Sequence, residues 1–150
     1  MALTAADLAA EQEYHRRMRY LHNCLHGYGT VSGLEVTVAR GRVLVSPGLA
    51  IDVCGREIVV AQPLTLRLGP RGSARAWVRD LVIGWHQTAE SPVPDVDGSL
   101  AFTRWVEAPE LSLVARGKGA SETVLLARLT RTTRGAVDVD TSVRRPLGPA

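Results

Sequence analysis

Two histidines near the expected end of a helix have the spacing that most suggests chemistry. His22 and His26 are four residues apart, so on a helix both imidazoles lie on one face and could bind one metal ion. Cys54 is a candidate third ligand, whereas Cys24 points away from the histidine face. Histidines in the last turn of a helix also stabilise that end without a metal. The simpler interpretation of the pair is therefore structural, and a zinc site is the alternative.

Acid–base chemistry has one candidate cluster, Asp52 with Glu57. The same segment is typical of a β-hairpin in which Asp52 and Arg56 form an ion pair across the turn, which is the simpler interpretation. No serine lies in a Gly-x-Ser-x-Gly motif, and no glycine-rich phosphate loop opens a helix. Asp95 and Asp97 lack the other ligands of a calcium loop. We therefore predict no catalytic residues and no cofactor.

The helix that would position the histidines covers most of the first 26 residues. Thr4 followed by Asp7 is typical of a capped helix start, and Gly27 is typical of a helix end. One face of this helix carries an apolar stripe at helical spacing. Its members are Tyr14, Met18, Leu21 and Leu25. For a free monomer the simplest expectation is that the stripe packs back on the β domain of the same chain. The functional alternative is that it binds another subunit.

After the helix, the glycines Gly27, Gly29 and Gly33 form a junction, and the apolar period then changes to that of short strands. The expected strands are 34–38, 42–45, 56–60, 64–68, 76–85, 100–106, 110–114, 123–130 and 136–139. Many short strands without a second strong helix predict a mainly β chain. We expect an N-terminal amphipathic α-helix followed by an antiparallel β-sandwich or small barrel.

The expected organisation has three parts. Residues 1–30 form the N-terminal helix and glycine-rich junction, residues 31–145 the antiparallel β domain, and residues 146–150 a proline-containing tail. Within the β domain, residues 87–99 are rich in Pro, Asp and Ser, so this segment is predicted to be a long exposed loop.

Composition argues against several classes of protein. With 150 residues, 45% of them hydrophobic and 22% charged, the chain is expected to form one globular domain. Its apolar runs are too short to span a bilayer, and its N-terminus lacks the pattern of a signal peptide, so we expect synthesis in the cytoplasm. The formal charge is +3, acids and bases are interspersed, and aromatic residues make up 5%, which does not favour nucleic-acid binding.

Four segments in the first 60 residues carry a resemblance to known proteins. They are Tyr14–Arg17, Leu21–Asn23, Leu25–Val36 and Val45–Val59, with less specific similarity at Thr103–Glu107 and Val124–Leu129. They resemble a small bacterial family of components of phage-tail-like particles, contractile injection systems and prophage tail loci. The patterns G-L-x-V and V-x-P-G-x-A-x-D-x-x-G-x-E are also similar to the start of tail-fibre and baseplate β domains. The resemblance implies a structural or adaptor part of a tail assembly.

The sequence therefore predicts a non-enzymatic protein that binds other subunits of a tail-like particle, near the baseplate or as a fibre or spike adaptor. The residues expected to form the docking surface and the junction are Tyr14, Met18, Leu21, Leu25, His22, Asn23, His26, Gly27 and Gly29. The alternative is a small metal-dependent hydrolase or zinc-stabilised module that uses His22 and His26 with Cys54.

Overall fold

A computed structural model describes residues 4–69, 75–94 and 100–147, with the backbone alone for 87–94 and 100–107. The chain begins with helix α1, Ala5–Leu25. The predicted start is confirmed: the Asp7 amide donates to Thr4 Oγ1 at 3.2 Å, and the Thr4 amide donates to Asp7 Oδ2 at 2.9 Å. The hydrogen bonds from Thr4 lower the pKa of the exposed Asp7 carboxyl. The helix is capped by His26 and followed by Gly27 with φ 85°, a left-handed conformation that stops it.

Ten strands follow the helix, and they form three antiparallel sheets. The strands are β1 Gly29–Gly33, β2 Val36–Ala39, β3 Arg42–Val45, β4 Gly48–Ile51, β5 Glu57–Val60, β6 Leu64–Arg67, β7 Trp77–Pro94, β8 Leu100–Ala115, β9 Val124–Arg131 and β10 Val137–Asp140. The sheet orders are β1-β4-β5, β2-β3-β6 and β10-β9-β7-β8. The predicted fold class, a mainly β chain with one N-terminal helix and antiparallel sheets, is confirmed.

The three sheets share one hydrophobic core. Alternation along β3 buries Val43 and Val45 and leaves the residues between and before them exposed, as a half-buried strand requires. In β9, which is the second strand of its sheet, most side chains are buried or half-buried. The fully buried apolar side chains come from all three sheets and from the β1–β2 connection: Leu34, Val43, Val45, Ala50, Ile58, Leu81, Ile83, Leu126, Ala127 and Leu129.

The prediction of a loop over 87–99 is wrong for residues 87–94, which belong to β7; residues 95–99 lie outside the described part of the chain. β7 pairs with β9 from Trp77 to Ile83 and with β8 from Arg79 to Pro94, which lies opposite Leu100, so beyond Ile83 the pairing of β7 is with β8 alone. Proline is tolerated because a strand with one neighbour needs hydrogen-bond donors on one side alone. The same pairing makes β8 continuous across Pro109, where two shorter strands were expected.

Strands β1 and β4 were missed because their glycines suggest turns. Gly33 pairs with Gly48 across this sheet, and a Cβ on either would overlap the facing backbone, Pro47 O in one case and Ser32 O in the other. Close approach of two backbones therefore explains these glycines. Residues Gly29 and Thr30, grouped with the helix in the sequence prediction, begin β1.

Candidate docking site

The last turns of α1 are attached to the turn between β4 and β5. Asn23 Nδ2 donates to Gly55 O at 2.9 Å and to Glu57 Oε1 at 3.1 Å, and Arg19 Nε lies 3.5 Å from Glu57 Oε2. A Cβ at Gly55 would overlap the carbonyl oxygen of Tyr20, so the helix backbone lies directly on this turn. The contact fixes the direction in which the helix leaves the β domain.

The turn that receives the helix is held by a buried carboxylate. Asp52 is 1% exposed; its Oδ1 accepts the amides of Cys54 at 2.8 Å and Arg56 at 2.9 Å. Arg56 Nε donates to Asp52 Oδ2 at 2.7 Å, so the predicted ion pair across the turn is confirmed. Arg56 also binds Glu122 at 2.7 Å and lies 5.2 Å from the centre of the Trp85 ring. We call this turn, residues 52–57, the platform. It is thus tied to both β7 and the β8–β9 connection.

The apolar stripe of the helix points away from this platform. Asn23 is two positions from both Leu21 and Leu25, and at 100° per residue it lies on the opposite side of the helix. Tyr14, Met18, Leu21 and Leu25 are 47–81% exposed, and no residue of α1 is buried. The expectation that the stripe packs back on the chain's own β domain is therefore wrong. The helix attaches through its polar face, which leaves the apolar face uncovered within the described chain.

The two histidines meet, but no other potential metal ligand of the described residues joins them. His22 Nε2 and His26 Nε2 are 3.4 Å apart, and the rings pack edge to face with centres 5.0 Å apart. Both lie on the exposed surface, and so does Cys54. In residues 4–69, 75–94 and 100–147, no group of three or more His, Cys, Asp or Glu side chains could hold a metal ion. The structure therefore brings His22 and His26 together and does not bring Cys54 to them.

The glycine junction is shaped by the C-terminal segment. The Thr30 amide donates to Arg145 O at 2.8 Å, and the Leu147 amide donates to Thr30 O at 2.7 Å. Gly29 has φ 141°, and a Cβ there would overlap Arg145 O. Arg145 also lies 4.3 Å from the centre of the Tyr28 ring. The C-terminal segment, which includes the start of the predicted tail, thus pairs with Thr30 of β1 through Arg145 and Leu147.

Sequence reasoning missed the residues that receive the helix, Gly55 and Glu57, and the residues that pair with β1, Arg145 and Leu147. The hairpin around Gly55 could be predicted from its Asp and Arg, but no local pattern indicates which turn a preceding helix will contact. A clue was the concentration of glycines, because Gly29 and Gly55 each mark a close approach of two backbones.

No family model and no curated protein matches the sequence. Among solved structures, the chain is similar to a chain of the type VI secretion system TssK-TssF-TssG baseplate subcomplex, determined by cryo-electron microscopy. The two share 16% sequence identity with a TM-score of 0.58, over 93% of this chain and 57% of that chain. This chain thus spans little more than half the length of its structural neighbour. No helix of the described residues is long and apolar enough to cross a bilayer. At this identity the likeness shows a common fold.

Proposed function

We propose that this protein is a non-enzymatic structural component of a contractile, phage-tail-like or injection particle, in which helix α1 binds a neighbouring subunit. The observation that carries the proposal is the uncovered apolar stripe on a helix attached through its opposite face. The protein is made in the cytoplasm and functions as part of the assembled particle. The structural neighbour supports the structural role, because a chain with the same fold belongs to a multi-subunit baseplate subcomplex.

The stripe has the form of a helix-packing seam. Its four members are spaced by four, three and four residues, the alternating spacing of a helix-packing stripe, which would face one partner surface along the last three turns of the helix. Burying a Leu or Met side chain contributes about 1.5–3 kcal/mol, and tyrosine is common among the residues that dominate binding energy. The expected partner surface is an apolar groove or helix on another subunit.

The proposal is tested in a bacterium that produces the particle, by replacing the stripe. We expect the double variant Met18→Asp and Leu21→Asp to fold and to be absent from purified particles. The matched control is Ala9→Asp with Gln12→Asp, which adds two acids at the same spacing on the opposite side of α1. The control should enter particles as the unmodified chain does, as judged by mass spectrometry of particles purified by density gradient.

Incorporation of the stripe variant at the unmodified level would overturn the proposed role of the helix. The absence of the unmodified chain from purified particles would overturn the structural role itself. The hydrolase or zinc-module alternative needs a third ligand, which the described residues do not place beside His22 and His26. It would gain support from one zinc ion per chain in the purified protein, lost on His22→Ala.

A further inference from the structure

The end of the β domain opposite the helix carries a group of exposed arginines. Arg40 lies in the β2–β3 turn, Arg42 begins β3, Arg67 ends β6, and Arg75 precedes β7. We name these four residues the arginine cluster. Three of them, with Gly41 and Gly69, line an open cleft of about 510 Å³. A second cleft of about 440 Å³ adjoins it through Arg67 and includes Arg75.

Within the described residues, the arginine cluster has no negative partner. None of the four side chains forms an ion pair with a described acid, and no acidic residue lines either cleft. Two arginines elsewhere in the domain, by contrast, are paired with buried carboxylates: Arg56 with Asp52 at 2.7 Å, and Arg128 with Asp80 at 2.8 Å. The cluster is thus a local excess of positive charge in a chain whose formal charge is +3.

Two features of the cluster reduce the stability of the fold. Arg42 and Arg67 are direct cross-strand partners, and like charges in that position repel. Arg40 has φ 51° and Gly41 φ 75°, the two left-handed positions of a two-residue hairpin turn, where asparagine, aspartate or glycine would be favoured over arginine. A negatively charged ligand would offset the repulsion between Arg42 and Arg67. It would also bind the side chain of Arg40, which the strained turn position exposes.

We propose that the arginine cluster binds an acidic segment of a partner protein, through carboxylates that lie in the two clefts. Arginine presents a planar fork of donors that fits a carboxylate with two parallel hydrogen bonds, and such charge-assisted pairs are strong. Of the aromatic side chains, Trp77 lines the second cleft; it is half-buried, and the Arg79 guanidinium lies 5.6 Å from its ring centre. Among the residues that the structure describes, the clefts therefore offer no free aromatic face for stacking nucleic-acid bases, which favours a protein ligand.

This inference stands independently of the proposed role of the helix. The arginine cluster lies at the Trp77 end of β7, and the platform under α1 lies at the Trp85 end, where Arg56 meets the indole. Eight residues of strand separate the two tryptophans, which is roughly 26 Å. A ligand at the cluster and a subunit on the helix would occupy opposite ends of the domain.

The experiment uses the full chain and a fluorescein-labelled octaglutamate peptide, with binding followed by fluorescence anisotropy at low and at physiological salt. We expect saturable binding that weakens as salt rises, because the contacts are ionic. The double variant Arg42→Gln and Arg67→Gln should bind at least about tenfold more weakly. The control Arg16→Gln with Arg17→Gln removes the same charge from the helix and should bind within about twofold of the unmodified chain, since α1 lies at the far end.

A second variant separates binding from folding. Arg40→Asn removes one charge and places a favoured residue in the turn, so it should raise Tm while weakening peptide binding severalfold. Equal binding by the cluster variants and the helix control would overturn the proposal. So would binding of a glycine–serine peptide as tight as that of octaglutamate. Tighter binding of an oligothymidylate through the same arginines would also overturn it and identify a nucleic-acid site.

Discussion

Asp80 shows how a buried carboxylate fixes a turn in this domain. Its Oδ2 accepts the Gly117 amide at 2.8 Å, which holds the β8–β9 connection, and its Oδ1 accepts Arg128 Nε at 2.8 Å. Burial alone would raise the pKa of Asp80, but the hydrogen bonds from Arg128 and Gly117 outweigh it and lower this pKa below the ordinary value of 3.8. The folded protein therefore favours the charged carboxylate more than the unfolded chain does.

We expect Asp80→Asn to lower the free energy of unfolding by about 2 kcal/mol at pH 7, because Arg128 loses its charged partner. Since a lowered pKa stabilises the fold above the ordinary value, this contribution should be lost as the pH falls below 4 towards the pKa of the folded state. Urea unfolding at pH 7 and pH 3 measures the difference. Asp138→Asn, on the exposed surface of β10, is the control. A loss of equal size at both pH values would contradict the assignment.

Thr30 gives the opposite prediction. Its hydroxyl oxygen is buried and has no hydrogen-bond partner among the described residues. Thr30→Val keeps the shape of the side chain and removes the unpaired polar atom, so we expect unfolding to cost about 1 kcal/mol more than in the unmodified chain. Thermal unfolding detects the shift. Thr130→Val, at an exposed position of β9, is the control. A fall in Tm on Thr30→Val would show that the hydroxyl has a partner.

Among single residues, sequence reasoning could predict pairs that are close in the chain and could not predict pairs that are distant. The Asp52–Arg56 pair spans four residues and follows from one hairpin pattern. Asp80 and Arg128 are 48 residues apart, and their pairing depends on β7 lying beside β9. His22 and His26, four residues apart on one helix, could likewise be placed together. Cys54 is distant from them in the chain and could not be placed relative to them.

At the scale of elements, α1 could be predicted because its start signal, stripe and end signal are all local. The alternating strand β3 and the largely buried strand β9 were also predicted. The part of β7 over 87–94 was not predicted, because Pro and Ser there indicate a loop. Its strand conformation depends on pairing with β8, which is distant in the chain. The face of α1 that contacts the β domain also could not be predicted from the sequence. Hydrophobicity favoured a contact through the apolar stripe, whereas in the structure the helix contacts the β domain through Asn23.

We expect Asn23→Ala to loosen the helix from the β domain without unfolding either. The substitution removes the hydrogen bonds to Gly55 O and Glu57 Oε1, each worth about 1 kcal/mol or less at this half-exposed site. Hydrogen exchange should become faster in the last two turns of α1 and around Gly55, and stay unchanged in β7 and β9. Arg17→Ala, on the exposed helix surface, is the control. Unchanged exchange in α1 would show that other contacts hold the helix.

For the whole molecule, one arginine near the C-terminus links the sheet that contains β9 to the connection between the other two sheets. Arg144 Nε donates to Leu126 O at 3.0 Å, and its Nη2 donates to Leu34 O at 2.8 Å. These carbonyls belong to β9 and to the β1–β2 connection, so the guanidinium links two segments that are distant in the chain. The next residues, Arg145 and Leu147, then pair with Thr30 of β1.

We expect Arg144→Lys to lower the free energy of unfolding by about 1–2 kcal/mol, because an ammonium group does not reproduce the fork that reaches both carbonyls. The charge is kept, so the effect reports geometry rather than electrostatics. Urea unfolding measures it, and Arg134→Lys in the exposed β9–β10 turn is the control. Equal stability of the two variants would show that the link between the sheets does not depend on Arg144.

The arrangement of the whole chain leads to a last prediction, that removal of residues 1–26 leaves the β domain folded. No residue of α1 is buried, and the core consists of side chains from Leu34 onward. The loss is limited to contacts between the last two turns of α1 and the β4–β5 hairpin, which include the polar contacts of Arg19 and Asn23 and the packing of the Tyr20 backbone on the turn. We therefore expect the free energy of unfolding to fall by about 1–2 kcal/mol. Circular dichroism and urea unfolding of residues 27–150 measure this.

The same truncation distinguishes two roles for the helix. If α1 serves to bind a partner, the truncated chain keeps its sheets and its octaglutamate binding at the arginine cluster, and loses incorporation into particles. If α1 instead stabilises the domain, the truncated chain unfolds below room temperature, and the loss of incorporation reports on folding alone. A folded truncated chain that still enters particles would show that subunit binding resides in the β domain, where the arginine cluster would then be the first surface to test.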